Sequence, residues 1–239
     1  MSSSKKDYKK LYQLQDKFLS WWGTLGLPFY LTGGTALGRF YLGHRFSEDL
    51  DFFINASPHF KNYISILQRN IGSQFNINQQ ESLFTEDYAR FFISGDNVFL
   101  KIELVNDVEI YLGNSLNHSF GLIDNPRNIL SNKLTAIVGR DEPKDIFDIV
   151  SIALNYSFNW QDIFAGAKLK SVINEIDIEQ RLCSFPLEWL ENVDWIMHPI
   201  DYRFFATTLK TIADDFLLGS INSIGLKKNV IDKATIIHS

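Results

Sequence analysis

The sequence predicts an α+β fold, in which a mixed sheet flanked by helices is followed by a helical C-terminal half. Apolar residues recur at helical spacing in residues 5–22, whereas residues 74–106 alternate between apolar and polar as β-strands do. From about residue 126 onward the pattern is predominantly helical. We therefore predict two domains, a core of residues 1–122 that includes the N-terminal helix and a helical domain of residues 123–239.

The first half is predicted to alternate helices with short strands. Residues 5–22 form an amphipathic helix that ends near Gly23, and residues 28–31 form a short buried strand. A glycine turn then leads into a helix over residues 35–42. Residues 49–54 are expected to form the second strand, and residues 58–71 the next helix.

The later elements are marked by turn residues and by proline. Gly95, Asp96 and Asn97 predict a hairpin turn between two strands. Pro143 follows a polar break and suits the first turn of a helix, where its missing N–H has no partner to lose. No internal repeat or low-complexity segment is evident.

Composition restricts the classes of function. The net charge of -5 and the pI of about 5.5 are unlike those of a general polyanion binder, so any nucleic-acid contact requires a local basic patch. Scattered lysines usually serve solubility, which is our preferred interpretation of the C-terminal group. The candidate lysines for such a patch are Lys5, Lys6, Lys9, Lys10, Lys168, Lys170, Lys227, Lys228 and Lys233.

Cysteine usage and hydropathy indicate the compartment. Cys183 is the single cysteine, which excludes an intramolecular disulfide and a paired-thiolate metal site. The N-terminus lacks the pattern of a signal peptide, and the most apolar stretch, residues 18–31, is too short and too interrupted to cross a bilayer. We expect a cytoplasmic protein without a membrane partner.

Asp49 and Asp51 open a predicted strand and suggest a metal site. Side chains alternate along a strand, so these two carboxylates point to one face while Leu50 points to the other. Their mutual repulsion is relieved by a divalent cation, and Mg²⁺ favours one or two carboxylates together with phosphate oxygens. Two aspartates at a solvated strand end are the alternative, and this interpretation is favoured for the motif taken alone.

Gly33 and Gly34 lie upstream, at the predicted turn from strand to helix, where Thr35 begins the helix. Backbone N–H groups at such a turn bind phosphate, and glycine allows the phosphate to approach closely. A glycine pair alone is more often a plain tight turn. The order of phosphate turn, short helix and paired aspartates favours a nucleotide site.

A third metal ligand is expected from a neighbouring strand, as in a two-metal clamp. Glu103 is the best candidate, because it alternates out of an apolar strand. Lys101 shares its face, so a simple Lys–Glu pair on the wet side of the sheet is almost equally favoured. Asp107 and Glu109 are the competing candidates.

A second charged cluster occupies residues 132–148. Lys133 and Arg140 are spaced to share a helix face, and Lys144, Asp145 and Asp148 line the polar side of the following helix. These groups either bind a triphosphate and orient a base or form an ion-pair network at the surface. Spacing alone favours the surface network.

These motifs together resemble the AbiEii/AbiGii toxin family of nucleotidyltransferases. The resemblance is carried by residues 31–37, 44–53, 132–140 and 144–148. It implies a polymerase-β-like nucleotidyltransferase core, a toxin role in abortive-infection or toxin–antitoxin systems, and a possible cognate antitoxin. It further implies that the substrate is an NTP and that the cofactor is Mg²⁺ or Mn²⁺. The implied acceptor is RNA, most specifically the 3′ end of tRNA.

The resemblance also assigns roles to single residues. Asp49 and Asp51 would hold metal, and Asp148 would be the distal acidic residue needed for activity. The residues that would contact the nucleotide or its phosphates are Gly33, Gly34, Thr35, Ser47 and Lys133.

Two questions stay open at this level. Arg45 would either meet phosphate or brace Asp49 or Asp51, and the two readings are even. The acceptor would be RNA or a small hydroxylated molecule, which the acidic pI suits better. An inactive nucleotide-binding module that acts by gripping a partner protein is the third alternative, although the intact Asp49 and Asp51 argue against it.

Overall fold

The computed structural model describes residues 6–237, which form two compact units. The first unit takes the described residues up to 36 together with residues 46–109 and 115–124. The second takes residues 37–45, 110–114 and the described residues from 125 onward. The candidate basic residue Lys5 lies outside the described part of the chain.

The first unit is built on a mixed sheet, as predicted. Among the described residues its strands follow the order β3-β5-β6-β2-β1-β8-β7, and β4 pairs with β5. β2 runs parallel to β6 and antiparallel to β1. The strands are β1 (Tyr30–Thr32), β2 (Leu50–Asn55), β3 (Asn76–Ile77), β4 (Leu83–Phe84), β5 (Tyr88–Gly95), β6 (Val98–Asp107), β7 (Leu116–His118) and β8 (Gly121–Ile123).

The predicted hairpin joins β5 to β6. Gly95 pairs with Val98, so Asp96 and Asn97 form a two-residue turn. Their φ angles are 49° and 63°, and positive φ at both positions is the geometry that suits the twist of a tight hairpin. The sequence prediction of this turn is confirmed.

One face of the sheet is covered by α1 (Tyr8–Gly23), whose apolar stripe explains the helical spacing of the sequence. Trp22 of α1 stacks on Phe52 of β2 at 4.2 Å between ring centroids, and Phe18 lies beside the same ring at 6.2 Å. All three are at most 2% exposed. The unit also contains α3 (Phe60–Ile71), where a helix over residues 58–71 was predicted.

The helix predicted over residues 35–42 is replaced by two shorter elements. α2 (Gly33–Leu37) begins at the first glycine, and a π-helix (Gly38–Leu42) follows it. The π-helix ends at Gly43, whose φ of 59° is left-handed. Helical residues were therefore predicted correctly over most of this segment, but the start and the hydrogen-bond pattern were not.

The second unit is mainly helical, which confirms the prediction for the C-terminal half. Pro126 and Pro143 occupy the first turns of their helices, and the preceding Asn125 and Glu142 accept hydrogen bonds from backbone N–H groups as N-caps. The helices are α4 (Pro126–Gly139), α5 (Pro143–Asn155), α6 (Trp160–Lys170), α7 (Glu175–Cys183) and α8 (Tyr202–Leu217). A pair of short strands, β9 (Tyr156–Ser157) and β10 (Asn229–Val230), completes the unit.

Within residues 6–237 no helix combines the length and the apolar character needed to cross a bilayer.

Candidate functional site

Three carboxylates lie along one face of the first unit's sheet. Asp51 of β2 is in register with Glu103 of the parallel strand β6 and with Thr32 of β1. Asp49 directly precedes β2, two residues before Asp51, so it shares that side by alternation. The structure therefore brings Asp51 beside the residue that was chosen as the third metal ligand, in preference to Asp107 and Glu109.

Gly33 gives Asp51 its position. A Cβ atom on Gly33 would lie 2.7 Å from Oδ2 of Asp51, which is closer than such atoms pack. The φ of Gly33 is +67°, a left-handed conformation that side chains beyond glycine seldom adopt. Glycine is therefore required here for two reasons, the backbone angle and the approach of the carboxylate.

Lys101 bridges two of the carboxylates. Its Nζ atom lies 3.0 Å from Oδ2 of Asp49 and 2.7 Å from Oε2 of Glu103. The Tyr88 hydroxyl also donates a hydrogen bond to Glu103. The Lys–Glu pair anticipated as an alternative is thus present, and it includes Asp49 as a second anionic partner.

These contacts set the protonation of the site. Burial raises the pKa of Asp49, against the opposing effect of Lys101. Burial also acts to raise the pKa of Glu103, but the hydrogen bonds from Lys101 and Tyr88 outweigh it and lower the pKa below its usual value. Burial and the Glu103 carboxylate raise the pKa of Tyr88 to about 12, so the phenol stays a donor at neutral pH.

The donor set suits a hard cation. Mg²⁺ and Mn²⁺ prefer oxygen ligands and use one or two carboxylates alongside substrate phosphates. Asp49 and Asp51 provide such a pair, and the Gly33 backbone beside Asp51 leaves room that a side chain would fill. Within residues 6–237 no three His, Cys, Asp or Glu side chains are grouped closely enough to form a complete metal site of their own.

The segment before β2 is held by hydrogen bonds to side chains of α1 and α2. The amide of Gln15 on α1 donates to the carbonyls of Ser47 and Glu48 at 3.0 and 3.2 Å. The Ser47 N–H donates to the hydroxyl of Tyr12 at 3.1 Å, and the Thr35 hydroxyl donates to the carbonyl of Asp49. Thr35 and Ser47 are buried, at 0% and 7% exposure, and both take part in fixing this segment.

Sequence reasoning missed Gln15 and Tyr12 in this role. A glutamine inside an amphipathic helix reads as a surface residue, yet Gln15 is 0% exposed. The available signal was its position on the apolar stripe, one residue after Leu14 and three before Phe18.

The second unit contains a separate buried cluster around Asp148. Arg45 binds this carboxylate in a bidentate way, with Nε 2.6 Å from Oδ1 and Nη2 2.7 Å from Oδ2. Nζ of Lys133 lies 2.7 Å from Oδ2, and Nε2 of His44 lies 2.8 Å from Oδ1. Asp148 is fully buried, and the flanking cations hold its pKa well below its usual value despite that burial.

Asp145 extends this cluster. Lys133 also contacts its Oδ1 at 2.7 Å, and Arg140 contacts both of its oxygens. Lys133 and Asp145 are 7% and 1% exposed. The predicted ion-pair network is therefore present. Its placement at the surface was wrong for Lys133, Asp145 and Asp148, which are buried where the polar faces of α4 and α5 meet. The Arg140 side chain, by contrast, stays exposed.

One of the two predictions for Arg45 was that it braces a carboxylate, Asp49 or Asp51. It does brace a carboxylate, but that carboxylate is Asp148. His44 and Arg45 precede the aspartate motif in sequence, which suggested Asp49 or Asp51 as the partner. The spacing gave no indication of Asp148, more than 100 residues away. Phosphate contact by Arg45 or Lys133 stays a prediction.

His44 is the least satisfied member of this cluster. Its Nδ1 atom is buried without a hydrogen-bond partner, and its ring stacks on Phe147 at 5.7 Å. Burial lowers the pKa of His44, and the nearby Arg45 and Lys133 charges act in the same direction, while Asp148 opposes them. The imidazole is therefore neutral at pH 7.

Comparisons with known proteins agree with this architecture. The structure resembles that of JHP933 from Helicobacter pylori, with a TM-score of 0.58 and 21% identity over 90% of this chain and 94% of that one. It also resembles MenT4, a nucleotidyltransferase toxin from Mycobacterium tuberculosis H37Rv, with a TM-score of 0.54 and 14% identity over 89% of this chain and 84% of that one. At these identities the likeness is one of fold.

The sequence itself identifies the family. Comparison with curated protein sequences gave no match. Residues 20–175, which include both charged clusters, match the family model described as nucleotidyl transferase AbiEii toxin, type IV toxin–antitoxin system. The chain therefore belongs to the AbiEii family of nucleotidyltransferase toxins.

Proposed function

We propose that this toxin transfers a nucleotidyl group from an NTP to RNA, with the 3′ end of tRNA as the acceptor, in a reaction that depends on Mg²⁺ or Mn²⁺. The single observation that supports it best is the carboxylate arrangement of the first unit. Asp51 lies against the bare backbone of Gly33 and in register with Glu103, and Asp49 shares its face. A group of carboxylates on one face can hold the metal ions that stabilise the reacting oxygens in nucleotidyl transfer.

Asp49 and Asp51 would hold the metal, with Glu103 as the additional ligand. When bound, the metal would neutralise charge on the triphosphate and favour departure of pyrophosphate. The Gly33 and Gly34 backbone would allow a phosphate to approach closely. Lys101 would give up its contact with Asp49 or Glu103 as the cation binds, because both carboxylates then have a stronger counter-charge.

The remaining predicted residues would support this site in two ways. Thr35 and Ser47 fix the segment that carries Asp49. We expect the Thr35 backbone N–H and the Ser47 hydroxyl to meet the nucleotide. Lys133 and Asp148 belong to the buried cluster of the second unit. We propose that activity needs that cluster intact, with Lys133 as the triphosphate contact that the family resemblance implies.

The first test is transfer of label from each α-labelled NTP to total tRNA, with Mg²⁺, with Mn²⁺ and with EDTA. We expect Asp49→Ala and Asp51→Ala to reduce labelling by at least about 100-fold, in line with the loss of a metal-holding group. Asp107→Ala, at the far end of β6, is the matched control and should label tRNA as the wild type does. Labelling by either Asp49→Ala or Asp51→Ala at the wild-type rate would refute the metal assignment.

A small hydroxylated acceptor is the second candidate, and the net charge of -5 favours it. Such an acceptor needs a pocket and no basic track. In the same assay it predicts metal-dependent consumption of NTP without label in RNA. The family also implies a cognate antitoxin.

A further inference from the structure

A cavity of about 260 Å³ lies within the second unit, and Arg140, which contacts Asp145 of the Asp148 cluster, is on its rim. Its apolar side is formed by Ile137 of α4 and Ile146 of α5, which are 3% and 4% exposed. Phe185 and Trp189, which follow α7, form an aromatic wall. The volume is slightly below the usual range for small-ligand sites, so it suits a single flat ring system.

The aromatic wall includes a large ring that is partly exposed. The centroids of the Phe185 and Trp189 rings lie 6.1 Å apart and the rings meet at an angle of 84°, an edge-to-face pair of which both members line the cavity. Trp189 is 41% exposed although it is among the most apolar large side chains. A flat ligand stacked on Trp189 inside the cavity would bury this surface.

The polar rim carries both donors and acceptors. Arg140 is held by Asp145 through two of its nitrogens while its side chain stays 60% exposed, and Arg181 donates to Asp141. Carboxylates of Asp141 and Glu142 line the same rim. Because these acidic groups offset the arginines, the rim has no excess of positive charge with which to select a phosphate.

We propose that this cavity binds a guanine base. Guanine presents two adjacent acceptors, O6 and N7, that suit an arginine side chain. It also presents N–H donors that suit a carboxylate. Its flat ring would stack on Trp189, as unpaired bases do on aromatic side chains. The base could come from a free nucleoside or from an unpaired position in an RNA strand, and the second source rests on the proposed function.

Titration of the full-length protein in EDTA tests this proposal, because the metal-dependent site of the first unit does not contribute there. The probes are guanosine, adenosine, cytidine and uridine, followed by a short single-stranded RNA with one guanosine and the same strand with adenosine in its place. We expect saturable binding of guanosine or of the guanosine-containing strand, weaker by about tenfold in Trp189→Ala, the scale of one lost base stack. Saturation by guanosine identifies the free nucleoside as a source, and saturation by the strand alone identifies RNA.

Two matched controls separate the cavity from general effects. Phe204→Ala removes another exposed aromatic ring of the second unit, and Arg203→Gln removes another arginine; neither lines the cavity, so neither should change binding. Arg181→Gln should weaken binding of guanosine, and Trp189→Phe, which keeps a stacking ring, should restore most of the affinity lost in Trp189→Ala.

The proposal is overturned if no probe saturates, if adenosine binds as tightly as guanosine, or if Trp189→Ala and Arg181→Gln both bind as the wild type does. Since no step requires catalysis, binding that persists in a protein without transferase activity would support this inference and count only against the proposed function.

Discussion

At the scale of single residues, the position of the Asp51 carboxylate depends on Gly33 having no side chain. Oδ2 of Asp51 occupies the space where a Cβ of Gly33 would lie. The same glycine has a left-handed backbone conformation. The position of Asp51 therefore depends both on this conformation and on the absence of a Cβ atom at residue 33. Gly26, in the same unit, has a φ of +60° but faces open space, which separates the two effects.

Gly33→Ala is therefore expected to abolish transfer, whereas Gly26→Ala is not. Both changes put alanine in a left-handed conformation and should lower the free energy of unfolding by about 1–2 kcal/mol. Only at Gly33 does the new methyl group displace Asp51. Transfer rates and melting temperatures of the two variants, measured together, provide the check, and equal activity in both would show that the position of Asp51 is not critical.

His44 should make the folding free energy depend on pH. Its pKa is lowered in the folded protein, so between its usual value of 6.5 and the lower folded value the unfolded chain binds more protons. The stability that depends on neutral His44 is thus complete above about pH 7 and decreases as the pH falls through that window. Arg45, Lys133 and Asp148 are the charged groups that face it.

The His44 prediction is checked by denaturant titrations between pH 7.5 and 5. His44→Gln, which keeps a polar side chain but cannot be protonated, should flatten this part of the stability profile. His59→Gln is the matched control, because His59 is exposed. A profile unchanged by His44→Gln would assign the acid sensitivity to other groups.

At the scale of secondary-structure elements, buried ion pairs link α4 to α5 inside the second unit. Lys133 of α4 lies between Asp145 and Asp148 of α5, and Arg45 completes the pairing of Asp148. Removing one member of such a buried set leaves an uncompensated charge, which is far more damaging than the loss of an exposed pair. α4 also carries a more exposed pair, Arg127 with Asp232.

Lys133→Met should lower the free energy of unfolding by about 3–5 kcal/mol, whereas Arg127→Gln should lower it by less than about 1 kcal/mol. Chemical denaturation of the two variants measures both values. The KM for NTP should then be measured for Lys133→Arg, which keeps the charge. A raised KM in a stable Lys133→Arg variant would support the triphosphate contact, and an unchanged KM would restrict Lys133 to holding the helices together.

The sequence was most informative where structure is local. The β5–β6 hairpin, the start of α5 at Pro143 and the apolar stripe of α1 each follow from neighbouring residues. The pairing of Asp51 with Glu103 was only anticipated as a choice among three acidic residues, because strand register is fixed by the whole sheet. The partner of Arg45 could not be found, and the ion-pair network of Lys133 with Asp145 and Asp148 was expected at the surface, since spacing does not reveal which helix faces are buried against each other.

At the scale of the whole molecule, the net charge of -5 restricts how an RNA acceptor is held. An acidic protein must make its phosphate contacts through a local basic patch. Each contact contributes about -0.9 in a duplex and about -0.7 in a single strand to the slope of log affinity against log salt. A small uncharged acceptor contributes almost none.

We therefore expect the KM for tRNA to rise with salt with a log–log slope of about 2 to 4, which corresponds to a few phosphate contacts. Rates at 50 to 300 mM KCl, with fixed free Mg²⁺ and NTP, give this slope. The KM for NTP over the same range serves as the reference, because salt also affects nucleotide binding. A slope for tRNA near zero would favour the small-molecule acceptor.

The parallel pairing of β2 with β6 has a consequence for synthesis of the chain. Asp49 and Asp51 leave the ribosome about 50 residues before Glu103, and the sheet is completed only by β8, which ends at Ile123. Until then the aromatic stripe of α1 lacks most of the surface that covers it, and pairings between strands distant in sequence form slowly. A nascent toxin therefore lacks its assembled carboxylate site during the first half of translation, and its exposed aromatic helix is prone to aggregation in that interval.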